Sequence, residues 1–316
     1  MYAIWLENED LYIRDDLSVP VPAHNEVLIR VLRAGICNMD LELMRGYYEF
    51  SGVIGHEFVG IVHEGPEELV GQRVVGEINA VCGRCTNCLN FRRTHCINRT
   101  VLGIQNRDGA FAEFLTLPLE NIHIVPPTLS IDDATFTEPL AAALQIQSQL
   151  KITKHDCVMV LGAGKLGQLI ARSLMLTECD LHVYDRNQTK LSLLSNRGIN
   201  TGDADKIPRG VFDVAVECTG SPNGFDIVSR SLRPRGTLVM KSTYASDLTL
   251  DVSDLVVNEI TLIGSRCGPF DLALDMLISK QVEVDDLIHA RYPLSEGLGA
   301  FELAQQSGIL KVLLDV

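Results

Sequence analysis

Three glycines constrain this chain more than any other feature: Gly162-Ala163-Gly164-Lys165-Leu166-Gly167. They follow a short apolar run, Cys157-Val158-Met159-Val160-Leu161, which reads as a buried strand. A helical stretch follows them, from Lys165 to about Thr177. In such a turn the first glycine makes the tight bend and the second lets backbone approach a pyrophosphate. The third lets the helix pack on the sheet, with its N-terminal N–H groups facing phosphate. Gly162, Gly164, Lys165, Leu166 and Gly167 are therefore candidate dinucleotide-binding residues. About 20 residues on, a second strand, Asp180-Leu181-His182-Val183-Tyr184-Asp185, ends in a carboxylate. Asp185 stands where it would accept hydrogen bonds from an adenosine ribose and repel a 2′-phosphate, which favours NAD over NADP. Arg186 beside it reads either as a grip on a 2′-phosphate or as a solvated cation.

The periodicity around this turn sets the architecture. A second helix is expected from Lys190 to Asn196, closing near Gly198. Further strands are expected at Asp213–Glu217, Gly236–Met240 and Ile260–Gly264. Strands alternating with helices imply an α/β fold with a doubly wound parallel sheet. The first 125 or so residues differ. They hold short Val- and Ile-rich runs such as Glu26–Val31, punctuated by Gly and Pro, as in a β-rich, barrel-like domain. At 316 residues two domains are expected. The boundaries fall at 1–138 with 268–316 for the β-rich domain, and 139–267 for the dinucleotide-binding one.

Composition narrows the function classes. The formal net charge of −14 argues against a nucleic-acid backbone as partner, since phosphate binding needs a basic surface. No apolar stretch approaches the roughly 18 residues that span a bilayer. The opening Met1-Tyr2-Ala3-Ile4-Trp5 leads into Glu7, Glu9 and Asp10 and lacks the basic and apolar regions of a secretory signal, so a cytoplasmic location is expected.

Four of the nine cysteines, Cys82, Cys85, Cys88 and Cys96, lie within fifteen residues. In a reducing compartment such clusters bind metal more often than they form disulfides. Four thiolates close a tetrahedral shell around zinc; an iron–sulfur cluster is the rival, but the long gap before Cys96 suits it poorly. A closed shell leaves no position for substrate, so its role is structural. A subtler set is Cys37, Asp40, His56 and Glu57, with Glu138 in Thr137-Glu138-Pro139-Leu140. One thiolate, one imidazole and one carboxylate would leave zinc's fourth position open. Taken singly, Cys37 reads as a small buried hydrophobe and His56 as a core histidine.

Taken together, these stretches resemble the zinc-containing medium-chain dehydrogenase/reductase superfamily, and most closely its sorbitol, threonine and glucose dehydrogenase branch. The resemblance is carried by Gly35-Ile36-Cys37-Asn38-Met39-Asp40, the Gly55–Gly60 motif, the four-cysteine lobe, Asp108-Gly109-Ala110-Phe111-Ala112-Glu113, Thr137–Leu140 and the Gly162–Gly167 turn. It implies a GroES-like catalytic domain, a Rossmann cofactor domain and two zinc ions per chain. It also implies that Cys37 and His56 ligate the catalytic zinc and that Glu138 stands where the polyol branch has a glutamate. Glu57 would be a close or alternative ligand, and Asp40 would fix the ring of His56. The expected reaction is hydride transfer between an alcohol, polyol or carbonyl substrate and the dinucleotide, in a homodimer or homotetramer.

This chain departs from the pattern at two places. Met39 replaces the Ser or Thr that relays the alcohol proton, and Glu42 replaces a histidine five residues after the zinc cysteine. Proton loss would then run through Glu57, Glu42 or water. The loop between Met44 and Gly52 is short, and Tyr47, Tyr48 and Phe50 are either pocket-lining or ordinary packing residues. Alternatives to the dehydrogenase are an NADPH-dependent carbonyl or aldehyde reductase and a dinucleotide-binding sensor without turnover.

Overall fold

In the computed structural model, which describes residues 1–243, 248 and 250–316, the chain divides into two units. One is Met1–Glu138 with Phe270–Val316, the other Pro139–Pro269. The ten-residue strand Glu26–Gly35 is the spine of the first. Its Val27, Ile29 and Val31 are almost fully buried. It pairs antiparallel with Glu57–Glu64, with Phe114–Pro118 and, at its C-terminal end, with Lys311–Asp315. Arg73–Gly76 and Ile122–Ile124 extend one edge of this sheet, and Ile288–Pro293 the other. A smaller sheet joins Ala3–Glu7, Asp10–Arg14 and Gly52–Val53. Gly35 is the register partner of both Glu57 and Leu313, so the last strand of the chain lies beside the spine where Cys37 follows.

The second unit holds six parallel strands in the spatial order Asn200–Asp203, Asp180–Asp185, Cys157–Leu161, Phe212–Glu217, Leu232–Met240, Thr261–Gly264. Numbered along the chain, this is the doubly wound order 3-2-1-4-5-6, whose direction reverses beside Cys157–Leu161. Strands buried on both faces need continuous apolar runs, and Val158, Met159, Val160 and Leu161 supply one. Met159, Leu161, Phe212, Ala215, Phe225, Val228 and Leu238 form a core against this sheet.

Several element ends differ from the sequence expectation. The helix after the glycine turn is Lys165–Met175 and the next Gln188–Ser195, which starts two residues early because the Asn187 side chain accepts the Lys190 N–H at 3.1 Å. Strand Leu232–Met240 begins before its apolar stretch, and the polar Asn200–Asp203 was not legible as a strand because nothing in its pattern alternates. Residues Gly55 and His56 lie outside any strand, where the chain bends at Gly55, and the strand starts at Glu57. Among the described residues no helix is long and apolar enough to cross a membrane.

Phe212 is 1% exposed and meets the rings of His182 and Tyr184 edge-on. Phe212→Ala is expected to destabilise the second unit by about 3–5 kcal/mol, through lost burial and the cavity left behind. Urea unfolding followed by circular dichroism measures it.

Candidate active site and metal centres

Cys37 precedes the short helix Asn38–Leu43, and its N–H donates to Asp40 Oδ2 at 2.8 Å. Asp40 is fully buried, and its Oδ1 lies 3.1 Å from His56 Nδ1. One carboxylate thus ties the backbone of Cys37 to the ring of His56 and directs Nε2 away from itself. Burial alone would lower the His56 pKa, but Asp40 and the Cys37 sulfur raise it well above the ordinary value. The ring sits in a negative pocket suited to a proton or a metal cation.

The turn that carries His56 is clamped from behind. Gly55 has φ +97°, and a Cβ there would strike the Phe111 ring. The Asp108–Phe111 segment runs alongside. Gly109 N–H donates to Val53, Ala110 N–H to Gly55 and Phe111 N–H to Ile54, while Asp108 Oδ1 accepts the Val53 N–H at 3.0 Å. A Cβ on Gly109 would collide with the Gly55 carbonyl. The Asp-Gly-Ala-Phe motif therefore positions the histidine.

Glu57 is fully buried. Its Oε2 is ion-paired with Lys311 Nζ, from the last strand, and its Oε1 has no hydrogen-bond partner. Burial lowers the Lys311 pKa, but Glu57 and then Cys37 raise it above its usual value, so the ammonium stays charged. Its Nζ also lies 5.7 Å from the centre of the Phe136 ring. Lys311 is the site residue that sequence reasoning missed, because 254 positions separate it from Glu57.

The donor atoms of Cys37, His56 and Glu57 lie within 4.8 Å of one another. Glu138, second residue of helix Thr137–Gln149 and half-buried, is not in that group. Glu42 is held 2.7 Å from Arg45. Tyr47 and Tyr48 pack edge-on against each other with Tyr48 half exposed, and Phe50 lines a shallow surface cavity with Asn106 and Asp108. A buried carboxylate with one unpartnered oxygen, gathered with a thiol and an imidazole, fits a metal ion.

In the cysteine lobe the sulfurs of Cys85–Cys88, Cys82–Cys96 and Cys85–Cys96 are 3.5, 3.5 and 3.8 Å apart. A zinc tetrahedron with bonds of about 2.3 Å needs sulfurs about 3.8 Å apart. Backbone N–H groups of Cys82 and Asn98 point at Cys96 Sγ, each at 3.4 Å. The Arg84 backbone N–H is the main cause of a Cys82 pKa lowered to about 6, whereas burial pushes Cys88 up to about 12. One thiolate is ready, and the other thiols would lose their protons to the metal.

In the second unit Gly162 has φ +108°, and a Cβ on Gly167 would strike the Gly162 carbonyl. A Cβ on Gly164 would meet no protein atom within 4 Å, so space lies open before the N-terminus of helix Lys165–Met175. Lys165 and Leu166 form the first turn of that helix. Asp185 accepts the N–H of Ala163 at 2.6 Å and of Asn187 at 2.8 Å, which fixes its carboxylate beside the turn. Arg186 is exposed.

An open glycine cradle on a doubly wound sheet and a thiol–imidazole–carboxylate set on a β-rich unit define a nicotinamide-dependent oxidoreductase acting on CH–OH groups. The alcohol dehydrogenase GroES-like domain family matches residues 23–127. An erythritol/L-threitol dehydrogenase of Mycolicibacterium smegmatis is 30% identical, over 94% of this chain and 92% of its own. A D-arabitol-phosphate dehydrogenase of Enterococcus avium is 28% identical, over 95% and 92%. A solved structure from Sinorhizobium meliloti, described as a zinc-binding dehydrogenase bound to NADP, superposes with a TM-score of 0.91 at 28% identity, covering 100% of this chain and 99% of that one. The chain belongs to the zinc-containing medium-chain dehydrogenase/reductase superfamily.

Two outcomes are expected. Lys311→Met leaves Glu57 as an unpaired buried charge and should cost about 3–5 kcal/mol, most of it recovered in the Glu57→Gln/Lys311→Met double variant. A denaturant-based double-mutant cycle measures this. Gly164→Val should leave stability unchanged and weaken NADH binding by at least about tenfold, read by titration calorimetry, because its side chain fills the cradle.

Proposed function

We propose that the chain is a zinc-dependent dehydrogenase of small alcohols and polyols that uses NAD, with one catalytic and one structural zinc. The gathering of Cys37, His56 and the unpartnered oxygen of Glu57 into one buried donor set carries this reading. When bound, zinc supplies Lewis acidity toward a substrate oxygen, and the nicotinamide supplies the hydride acceptor. The protein's own residues do the rest. Cys37 and His56 hold the metal, with Glu57 as third donor and Glu138 as the further carboxylate that the superfamily's polyol branch uses. Asp40 keeps the His56 ring oriented and compensates its charge. Lys311 offsets half of the negative charge that Cys37 and Glu57 would bring to a divalent ion, and it holds Glu57 by Oε2, leaving Oε1 without a hydrogen-bond partner. Met39 carries no proton, and Glu42 is engaged by Arg45, so the substrate proton leaves by Glu57 or water.

Cys82, Cys85, Cys88 and Cys96 hold the structural zinc. Gly162, Gly164, Lys165, Leu166 and Gly167 receive the pyrophosphate and Asp185 the adenosine ribose. The firm anchoring of the Asp185 carboxylate supports NAD; Arg186, exposed beside it, is the residue that would serve NADP. Polyols are supported by the relatives that act on erythritol, threitol and arabitol phosphate. Nine cysteines with no disulfide among the described residues suit a cytoplasmic location. Self-association into a dimer or tetramer is supported by the edge strand Thr261–Gly264, where Leu262 is 48% exposed next to Val256 and Val257 at 69% and 80%.

The test is nicotinamide absorbance with zinc-loaded protein and a panel of alcohols, polyols, sugars and aldehydes, with NAD and NADP. Turnover is expected with a polyol and NAD. It should vanish on chelation and in Cys37→Ser, which still binds NADH. Turnover retained in Cys37→Ser overturns the metal assignment; NADH binding without turnover on any substrate overturns the enzymatic one; turnover of aldehydes with NADPH alone replaces it with a reductase.

A further inference from the structure

The second unit carries a donor set that none of this chemistry uses. In the parallel pairing of strands Cys157–Leu161 and Asp180–Asp185, Cys157 is the register partner of Asp180 and Met159 that of His182. Asp180 and His182 are two residues apart, so their side chains share one face of the sheet, while Leu181 and Val183 between and beyond them are buried on the other. Cys157, opposite Asp180, joins that face. Strand geometry alone therefore assembles a thiol, a carboxylate and an imidazole. Cys157 Sγ is 3.6 Å from Asp180 Oδ2, and His182 Nε2 is 3.0 Å from Asp180 Oδ1. One donor atom from each of the three lies within 4.8 Å of the other two.

The set is held from behind and open in front. The Cys157 N–H donates to Asp213 Oδ2 at 2.7 Å, which fixes its backbone. The His182 ring rests edge-on against the buried Phe212, centroids 5.7 Å apart. Asp180 is 61% exposed and His182 29%, so water reaches the donors. The three residues sit at the N-terminal ends of their strands, whereas the Gly162 turn and Asp185 are at the C-terminal ends. Five residue steps of strand, about 17 Å at 3.3 Å each, separate Asp180 from Asp185.

We propose that Cys157, Asp180 and His182 form a third, surface-accessible metal site for a borderline divalent cation of the zinc class. Tetrahedral coordination with bonds of about 2.0–2.3 Å places donors about 3.3–3.8 Å apart, so a set whose donor atoms already lie within 4.8 Å of one another closes on a cation by small side-chain rotations. The imidazole–carboxylate hydrogen bond and the thiol–carboxylate contact occupy the directions a cation would take. Burial, and then Asp180, push the Cys157 thiol up to about 11, so it keeps its proton until a metal displaces it. With three protein donors and a solvent-facing side, water completes the shell. Such an ion would clip together strands Cys157–Leu161 and Asp180–Asp185 and stabilise the unit in proportion to its concentration, with no part in hydride transfer.

The experiment adds Co²⁺ to zinc-loaded protein and, separately, counts zinc after equilibrium dialysis. Wild type and Cys37→Ser are expected to show a thiolate-to-cobalt charge-transfer band that is lost in Cys157→Ser. Wild type should also retain one zinc equivalent more than Cys157→Ser and His182→Ala. NADH binding should be the same in all four, which shows that the second unit is folded. Loss of the band in Cys37→Ser with retention in Cys157→Ser would assign the cobalt to the other site and overturn the proposal. Equal zinc counts in wild type, Cys157→Ser and His182→Ala would overturn it as well, leaving an exposed histidine–aspartate pair beside an ordinary thiol.

Discussion

The buried pair of Glu57 and Lys311 is the constraint around which the first unit is organised. A carboxylate with no exposed surface requires a counter-charge, and the one present arrives on the last strand of the chain. The C-terminal segment must therefore return to lie beside Glu26–Gly35, and the 131 residues of the Pro139–Pro269 unit are inserted before it does. Buried ion pairs contribute little to net stability compared with apolar replacements, but losing one partner is costly. That asymmetry makes the pair a specifier of register more than a source of stability. Gly35, between the two strands that carry Glu57 and Lys311, leaves the room in which the charges meet.

The two buried carboxylates of the site are compensated in different ways, and the difference assigns their roles. Asp40 accepts the Cys37 N–H with Oδ2 and has Oδ1 3.1 Å from His56 Nδ1, so its charge lies against the ring and orients a donor. Glu57 has one oxygen on Lys311 and one on nothing. A metal ion satisfies that second oxygen. The backbone behind them is equally specific: Gly55, with φ +97° and packed against Phe111, sets the direction from which His56 enters.

Surroundings also sort the cysteines. Backbone N–H groups draw Cys82 down to about 6, whereas burial and a neighbouring carboxylate push Cys157 up to about 11. The first is a ready ligand in a closed four-sulfur shell. The second waits as a thiol at the open rim of a sheet, and a metal has to displace its proton. Cys218, half-buried at the glycine turn, donates to the Leu161 carbonyl and is held as a thiol.

Whatever depends on near neighbours could be read from the sequence. The glycine turn, the strands on either side of it and the four-cysteine lobe are local, since a few residues of spacing decide φ, hydrogen-bond direction and sulfur separation. Cys37, Asp40 and His56 were legible only through the resemblance, because a lone thiol and a lone imidazole nineteen residues apart read equally well as core residues. Three matters were decided only by tertiary structure. Lys311 reached Glu57 through strand pairing across most of the chain. Cys157 came to face Asp180 and His182 through register, which no spacing encodes. The donor set closed on Glu57, with Glu138 outside it, because side-chain direction at the start of a helix depends on what packs around it. Local sequence limits the conformations a segment can take; which segments meet is settled by burying apolar strands and neutralising the charges they carry inside.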